Sequence, residues 1–154
     1  MQAPAIDHYE NFPVASILLP KRLRYPIALI YRFARDADDY ADEGDYTPAE
    51  RLALLQGYRQ QLDAIHQGAK PTLPLFVQLA GVMHAYALPI GLFYDLLDAF
   101  SQDVVKESYA NIEECLDYCR RSANPVGRLL LHLFGQATPD NLRDSDCICT
   151  SLQL

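Results

Sequence analysis

Between Pro20 and Gly44 the chain carries a helical pattern that is apolar on nearly every side, yet it ends in Asp38, Asp39, Asp42 and Glu43. Ile27, Ile30, Ala34, Ala37 and Ala41 form one face, and Leu29 and Phe33 cover much of the opposite side. A helix apolar around most of its circumference belongs inside a protein. At about 100° per residue, Asp38 and Asp42 lie within roughly 40° of each other, and Asp39 about 60° further round. Tyr31 and Arg35 precede them on the same stripe. An aromatic hydroxyl, a guanidinium and three carboxylates therefore share about 16 Å of helix axis, at about 1.5 Å per residue.

Carboxylates placed on such a helix repel one another and lose hydration, which is costly unless cations compensate. Oxygen ligands without His or Cys suit Mg²⁺, with Mn²⁺ as the alternative, rather than zinc or copper. Mg²⁺ held by a few carboxylates completes its shell with water and phosphate oxygens, so a diphosphate is a natural second partner. The competing reading is a solvated, acid-rich helix end in which Arg35 pairs with Asp38 or Asp39 at i+3 or i+4. Against it, negative charge at a helix C-terminus opposes the macrodipole. An EF-hand loop fits poorly, because its Gly at position six and Glu at position twelve are absent.

The rest of the chain reads as helix. Residues 1–19 form an irregular lead-in, and Pro20 opens the first helix. Thr47-Pro48-Ala49-Glu50 supplies a capping box with Pro at the first helical position. The helix it starts carries Leu52, Leu55, Leu62 and Ile65 on one side and ends at Gly68. Further helices are predicted over Pro74–Tyr86 and from Pro89 to about Val104. Another, capped by Asn111 with Glu114, runs through Cys119, is interrupted at Asn124-Pro125 and resumes as Val126–Phe134. Thr138-Pro139-Asp140 starts a last helix in which no terminator precedes Leu154, so the working protein is expected to continue. The expected fold is all-α, a single helical bundle whose N-terminal portion is residues 1–154, truncated relative to the whole.

Twenty acidic against 13 basic side chains give a net charge of −7, which disfavours a nucleic-acid partner. No run approaches the roughly 18 apolar residues of a membrane span, and no basic leader with an apolar core is visible. The expected location is cytoplasmic, with peripheral contact at the inner membrane for a lipid substrate. The four cysteines, Cys115, Cys119, Cys147 and Cys149, have spacings that fit zinc poorly and are expected to be reduced packing residues. His8, His66, His84 and His132 have no partners for a catalytic triad and are expected to be structural or exposed. Gln102-Asp103 has two readings, a place on a cavity rim or a capping role. No Gly-rich dinucleotide fingerprint is present.

The segments Asn11-Phe-Pro-Val-Ala-Ser16, Ala28-Leu-Ile-Tyr31-Arg-Phe-Ala-Arg35 and Asp38-Asp39-Tyr-Ala-Asp42-Glu43-Gly44 resemble the first half of a squalene/phytoene synthase. The likeness continues through Ala87-Leu-Pro-Ile, Phe93-Tyr-Asp-Leu-Leu and Gln102-Asp103 to Tyr118-Cys-Arg-Arg-Ser-Ala-Asn124-Pro-Val-Gly127. The wording is most similar to the hopanoid-pathway branch, the hydroxysqualene synthases.

The resemblance implies an isoprenoid-synthase helical bundle in which two aspartate-rich helices hold Mg²⁺ against a prenyl diphosphate. Asp38, Asp39 and Asp42 match the first motif and would ligate metal. Arg35 matches a diphosphate-contacting arginine and Tyr31 a tyrosine near the leaving group. Asn11, Phe12 and Ser16 would line the mouth of the cavity. Tyr118, Ala123, Val126 and Gly127 match a kinked helix that makes room for the prenyl tail, and Gln153 a glutamine one turn before the second aspartate motif. That motif would fall beyond Leu154, so the implied activity attaches to the complete protein. The alternative is a non-catalytic helical interaction module, for which an exposed stripe including Ile148 and Leu152 would serve.

Overall fold

The computed structural model describes residues 19–105 and 112–153, with backbone alone at 115, 119, 120 and 150–153. All regular structure among them is helical: α1 Lys21–Asp42, α2 Pro48–His66, α3 Pro74–Tyr86, α4 Ile90–Val105, α5 Ile112–Arg121, α6 Ala123–Leu133 and α7 Pro139–Gln153. The expected all-α class is the one observed. Each expected helix is present, with boundaries within a residue or two except at the start of α6, which opens at Ala123 rather than Val126. The lead-in and the proposed Asn111 cap lie outside the described residues.

Helix α1 is the axis of the assembly, packing against α2, α3, α4 and α6. Its burial on several sides follows from the sequence pattern: Ile27, Leu29, Ile30, Phe33, Ala37 and Ala41 are all core residues. Phe33 is fully buried and sits among three rings, with centroids 5.2 Å from Phe93, 5.8 Å from Phe76 and 5.9 Å from Tyr58. Tyr58 is a core residue of α2 that the leucine pattern did not single out, whereas Leu52 is only half-buried. Burial, followed by the nearby Asp36 charge, pushes the Tyr58 phenol well above its usual range. Its hydroxyl donates to Asp36 Oδ2 at 3.2 Å, and Arg32 Nε donates to the same oxygen at 3.1 Å. Asp36 thus serves the α1–α2 contact.

Pro26 stands inside α1, where a proline cannot donate to the carbonyl four residues back. That carbonyl belongs to Arg22, and it accepts instead from the Tyr86 hydroxyl of α3 at 3.3 Å. The proline defect is therefore repaired by a neighbouring helix, and α1 continues unbroken for 22 residues. Gly44 and Gly68, both with φ of 79°, supply the left-handed conformations expected after α1 and α2. Ala87 adopts φ 52° after α3, doing the work of a terminating glycine with a side chain that disfavours it.

The capping box of α2 is complete: Glu50 N–H donates to Thr47 Oγ1 at 3.2 Å, and Thr47 N–H to Glu50 Oε1 at 2.8 Å. The break between α5 and α6 falls at Ser122, two residues before the Asn124-Pro125 pair, because Pro125 is tolerated in the first turn of α6. Both Asn124 and Pro125 are buried there. Cys147 corrects the expectation of buried thiols: it is exposed, since α7 is amphipathic and turns that position outward, while Cys149 is half-buried.

Candidate functional site

At the C-terminal end of α1 the three acids converge as the helical spacing requires. Carboxylate oxygens of Asp38, Asp39 and Asp42 all lie within 4.8 Å of one another, two of the residues half-buried and Asp42 exposed. This is a cation-sized cluster of hard donors at the margin of the core. Asp38 carries the electrostatic signature of the site. Burial, then the Asp42 charge, with smaller contributions from Asp39 and Asp103, pushes its pKa up from 3.8 to about 6, against the lowering effect of Arg35.

Arg35 lies one turn before the cluster, with Nε 3.3 Å from Asp39 Oδ1. The i, i+4 pairing is present, yet that buried Nε makes no hydrogen bond. The guanidinium is thus drawn toward the acids without being consumed by them, and much of its side chain is exposed. Tyr31, 39% exposed, occupies the same stripe one turn further back.

The acidic helix end would be unfavourable on its own, because the last carbonyls of a helix already present partial negative charge. Arg51 of α2 answers this. Its guanidinium donates to the carbonyls of Tyr40 at 3.2 Å, Glu43 at 2.9 Å and Gly44 at 2.8 Å. One cation therefore satisfies three backbone acceptors beside the aspartates and ties the end of α1 to α2. No sequence rule singled out Arg51, since its partners are backbone carbonyls seven to eleven residues upstream, in the last turn of α1 and just past it.

Asp103 lies in the last turn of α4. Its Oδ2 accepts from the Tyr118 hydroxyl of α5 at 2.7 Å. The neighbouring Gln102 accepts from Arg121, which also donates to Asp117 Oδ2 at 2.7 Å. The dipeptide that admitted two readings thus clips α5 to the end of α4, and its acid also acts electrostatically on Asp38.

Among the other residues singled out, Ala123 and Gly127 are half-buried on α6 and Val126 is exposed. A Cβ on Gly127 would stand 2.4 Å from Ser145 Oγ and 2.8 Å from Cys149 Sγ, so the glycine lets α6 and α7 approach closely. Arg128 reinforces that contact with two bonds to Asp146, at 2.9 Å from Nε to Oδ1 and 2.5 Å from Nη2 to Oδ2. Asn11, Phe12 and Ser16 lie outside the described residues, as does the side chain of Gln153 on α7.

The donor set fits a hard divalent cation. Three acids share one small space, the most buried of them is reluctant to ionise, and an incompletely bonded arginine stands beside them. The family model for squalene/phytoene synthase matches residues 6–154.

The chain belongs to the squalene/phytoene synthase family.

Within this family it is 38% identical over 153 residues to the hydroxysqualene synthase of Sinorhizobium fredii, covering 99% of this chain and 51% of that protein. It is 32% identical over 145 residues to the presqualene diphosphate synthase of Rhodopseudomonas palustris, covering 94% and 51%. The crystal structure of squalene synthase HpnC from Alicyclobacillus acidocaldarius superposes with a TM-score of 0.86 at 38% identity, covering 96% of this chain and 55% of that one. The expected isoprenoid-synthase architecture is therefore the fold of this squalene/phytoene synthase family member. The chain spans about half the length of the curated relatives it matches. Among the described residues no helix is long and apolar enough to cross a membrane.

Proposed function

We propose that the whole protein to which this chain belongs is a Mg²⁺-dependent prenyl diphosphate enzyme of squalene or hopanoid biosynthesis. It takes presqualene diphosphate, made from farnesyl diphosphate, to hydroxysqualene or squalene with release of diphosphate. The observation that carries this reading is the Asp38, Asp39 and Asp42 cluster, with oxygens within 4.8 Å, on a helix otherwise committed to the core. Three carboxylates are retained at such a place when a cation neutralises them.

Asp38, Asp39 and Asp42 would hold Mg²⁺, or Mn²⁺, which when bound supplies Lewis-acid neutralisation of a leaving diphosphate. Arg35, its side chain 41% exposed beside the cluster, complements this with guanidinium N–H donors. Tyr31 places a hydroxyl and an aromatic face one turn away. Loss of diphosphate from presqualene diphosphate leaves a cyclopropylcarbinyl cation, which apolar and aromatic walls shield until water adds and gives up a proton to form hydroxysqualene; the squalene outcome would need a reduced nicotinamide as separate hydride donor. Tyr118, Ala123, Val126 and Gly127 are assigned to the helix that makes room for the prenyl tail, Asn11, Phe12 and Ser16 to the mouth of the cavity, and Gln153 to the turn before a second aspartate motif.

The region around α1 carries one aspartate cluster, and in this reading a second belongs to the remainder of the whole protein. Residues 1–154 alone would then supply half of the cation shell and turn over weakly or not at all. A second reading, a non-catalytic association module, is favoured by the 60% exposure of both Ile112 and Ile148. One assay separates them. The protein extended through the second motif should release diphosphate from presqualene diphosphate only with Mg²⁺. It should lose at least 100-fold in rate as Asp38→Ala, the scale of removing one preorganised charge-stabilising group. Absence of Mg²⁺-dependent release would leave the association reading standing.

A further inference from the structure

Three backbone carbonyls converge on one side chain at the end of α1. Arg51, the fourth residue of α2, donates to those of Tyr40, Glu43 and Gly44 at 3.2, 2.9 and 2.8 Å. These carbonyls bracket Asp42, the last residue of α1. The Tyr46 ring lies beside the guanidinium, its centroid 5.9 Å from Arg51 Cζ. It also packs on Gly44, where a Cβ would stand 3.1 Å from Tyr46 Cε2. The capping box of Thr47 and Glu50 fixes the backbone from which Arg51 projects. The turn is thus closed by its own side chains. The three acids do not depend on it equally. Asp38 and Asp39 lie between buried Ala37 and Tyr40, whose ring packs edge-on against Tyr58 at 5.1 Å. Asp42 is exposed and terminal, and the backbone past it is already extended, with Glu43 at φ −111° and ψ 155°. Helix ends whose carbonyls lack partners fray.

We propose that Arg51 is a positioning residue of the cation site: by satisfying carbonyls on both sides of Asp42, it holds that carboxylate in register with Asp38 and Asp39. The inference rests on the cation-binding reading of the three acids. It also carries a sign that separates it from simple electrostatics. Arg51 is itself a cation, and like charges repel, so removing its charge would by Coulomb's law alone tighten the binding of a metal ion nearby. Removing a positioning group loosens it, because the third carboxylate is no longer held in place.

The test is Mn²⁺ titration of the 154-residue chain, with free Mn²⁺ read by its electron paramagnetic resonance signal. Hydrogen exchange of the Glu43 amide, which donates to the Asp39 carbonyl at 2.8 Å, is followed in the metal-free protein. Wild type should bind Mn²⁺. Arg51→Met, which keeps a long stem but neither charge nor donors, should weaken binding about tenfold, the low end for loss of an outer-shell partner. It should also speed exchange of the Glu43 amide. Arg51→Lys keeps the charge, but a compact ammonium lacks the rigid fork that reaches three carbonyls. It should weaken binding in the same direction, and it serves alone if Arg51→Met does not fold. In an Asp42→Asn background either substitution should change affinity by less than about twofold, because the carboxylate being positioned is gone. A role in stability alone lowers the melting temperature and leaves affinity, measured well below it, unchanged. Unchanged or tighter binding on substitution of Arg51, or an equal loss with and without the Asp42 carboxylate, overturns this inference and leaves the cation site standing. No binding by wild type overturns both.

Discussion

At the scale of single residues, Asp38 has the largest functional consequence, because its ionisation is held back by burial and then by Asp42. Its folded pKa of about 6 exceeds the ordinary 3.8, so the folded state binds the proton more tightly than the unfolded chain. The corresponding stability is fully present below about 4 and is lost as pH rises through about 6. Cation-free protein should therefore melt at falling temperature between pH 4 and 7 by more than Asp38→Asn does, as followed by circular dichroism. Millimolar Mg²⁺ at pH 7 should recover the difference in wild type and do little for the variant. A wild-type and variant pair with parallel pH profiles would show that Asp38 is solvated in the ordinary way.

Among elements, two contacts make separable predictions. Tyr86 supplies the hydrogen bond that Pro26 denies to the Arg22 carbonyl. Tyr86→Phe should cost about 0.5–1.5 kcal/mol in chemical denaturation, the net worth of one such bond. Gly127 is a different case, because the added methyl of Gly127→Ala meets Ser145 Oγ and Cys149 Sγ inside contact distance. Helix propensity by itself favours alanine by about 1 kcal/mol. The clash should win, with a loss of about 1–3 kcal/mol, because both obstructing atoms sit on short side chains that have little room to yield. Substituting Ser145→Gly in the same chain should recover part of that loss.

Across the whole molecule, stability depends on the aromatic cluster in which rings from α1, α2, α3 and α4 meet around Phe33. Phe33→Ala should cost about 3–5 kcal/mol, measured by urea unfolding, since four helices cannot all collapse into one vacated volume. The same packing holds α1 rigid, and rigidity keeps the three carboxylates within reach of one cation. Loss of Phe33 should accordingly weaken Mn²⁺ binding although no ligand is touched, with part of the effect appearing as a lower melting temperature.

The sequence by itself determined the helices and the acid cluster, because both depend on neighbours in the chain. Helical periodicity, the Thr47–Glu50 box and the glycines after α1 and α2 are local signals, and Asp38, Asp39 and Asp42 share a stripe through helix geometry alone. Tertiary structure decided the rest. Tyr58 is core because rings of α1 and α3 pack against it, and Pro26 is harmless because Tyr86 comes from 60 positions further along to replace a bond. Arg51 completes the end of α1, and Asp103 accepts from Tyr118, through contacts between helices whose relative placement no local pattern specifies. Spacing along one helix fixes which groups share a face. Only the packing of several helices fixes which charges and donors confront that face, and those set how readily Asp38 ionises.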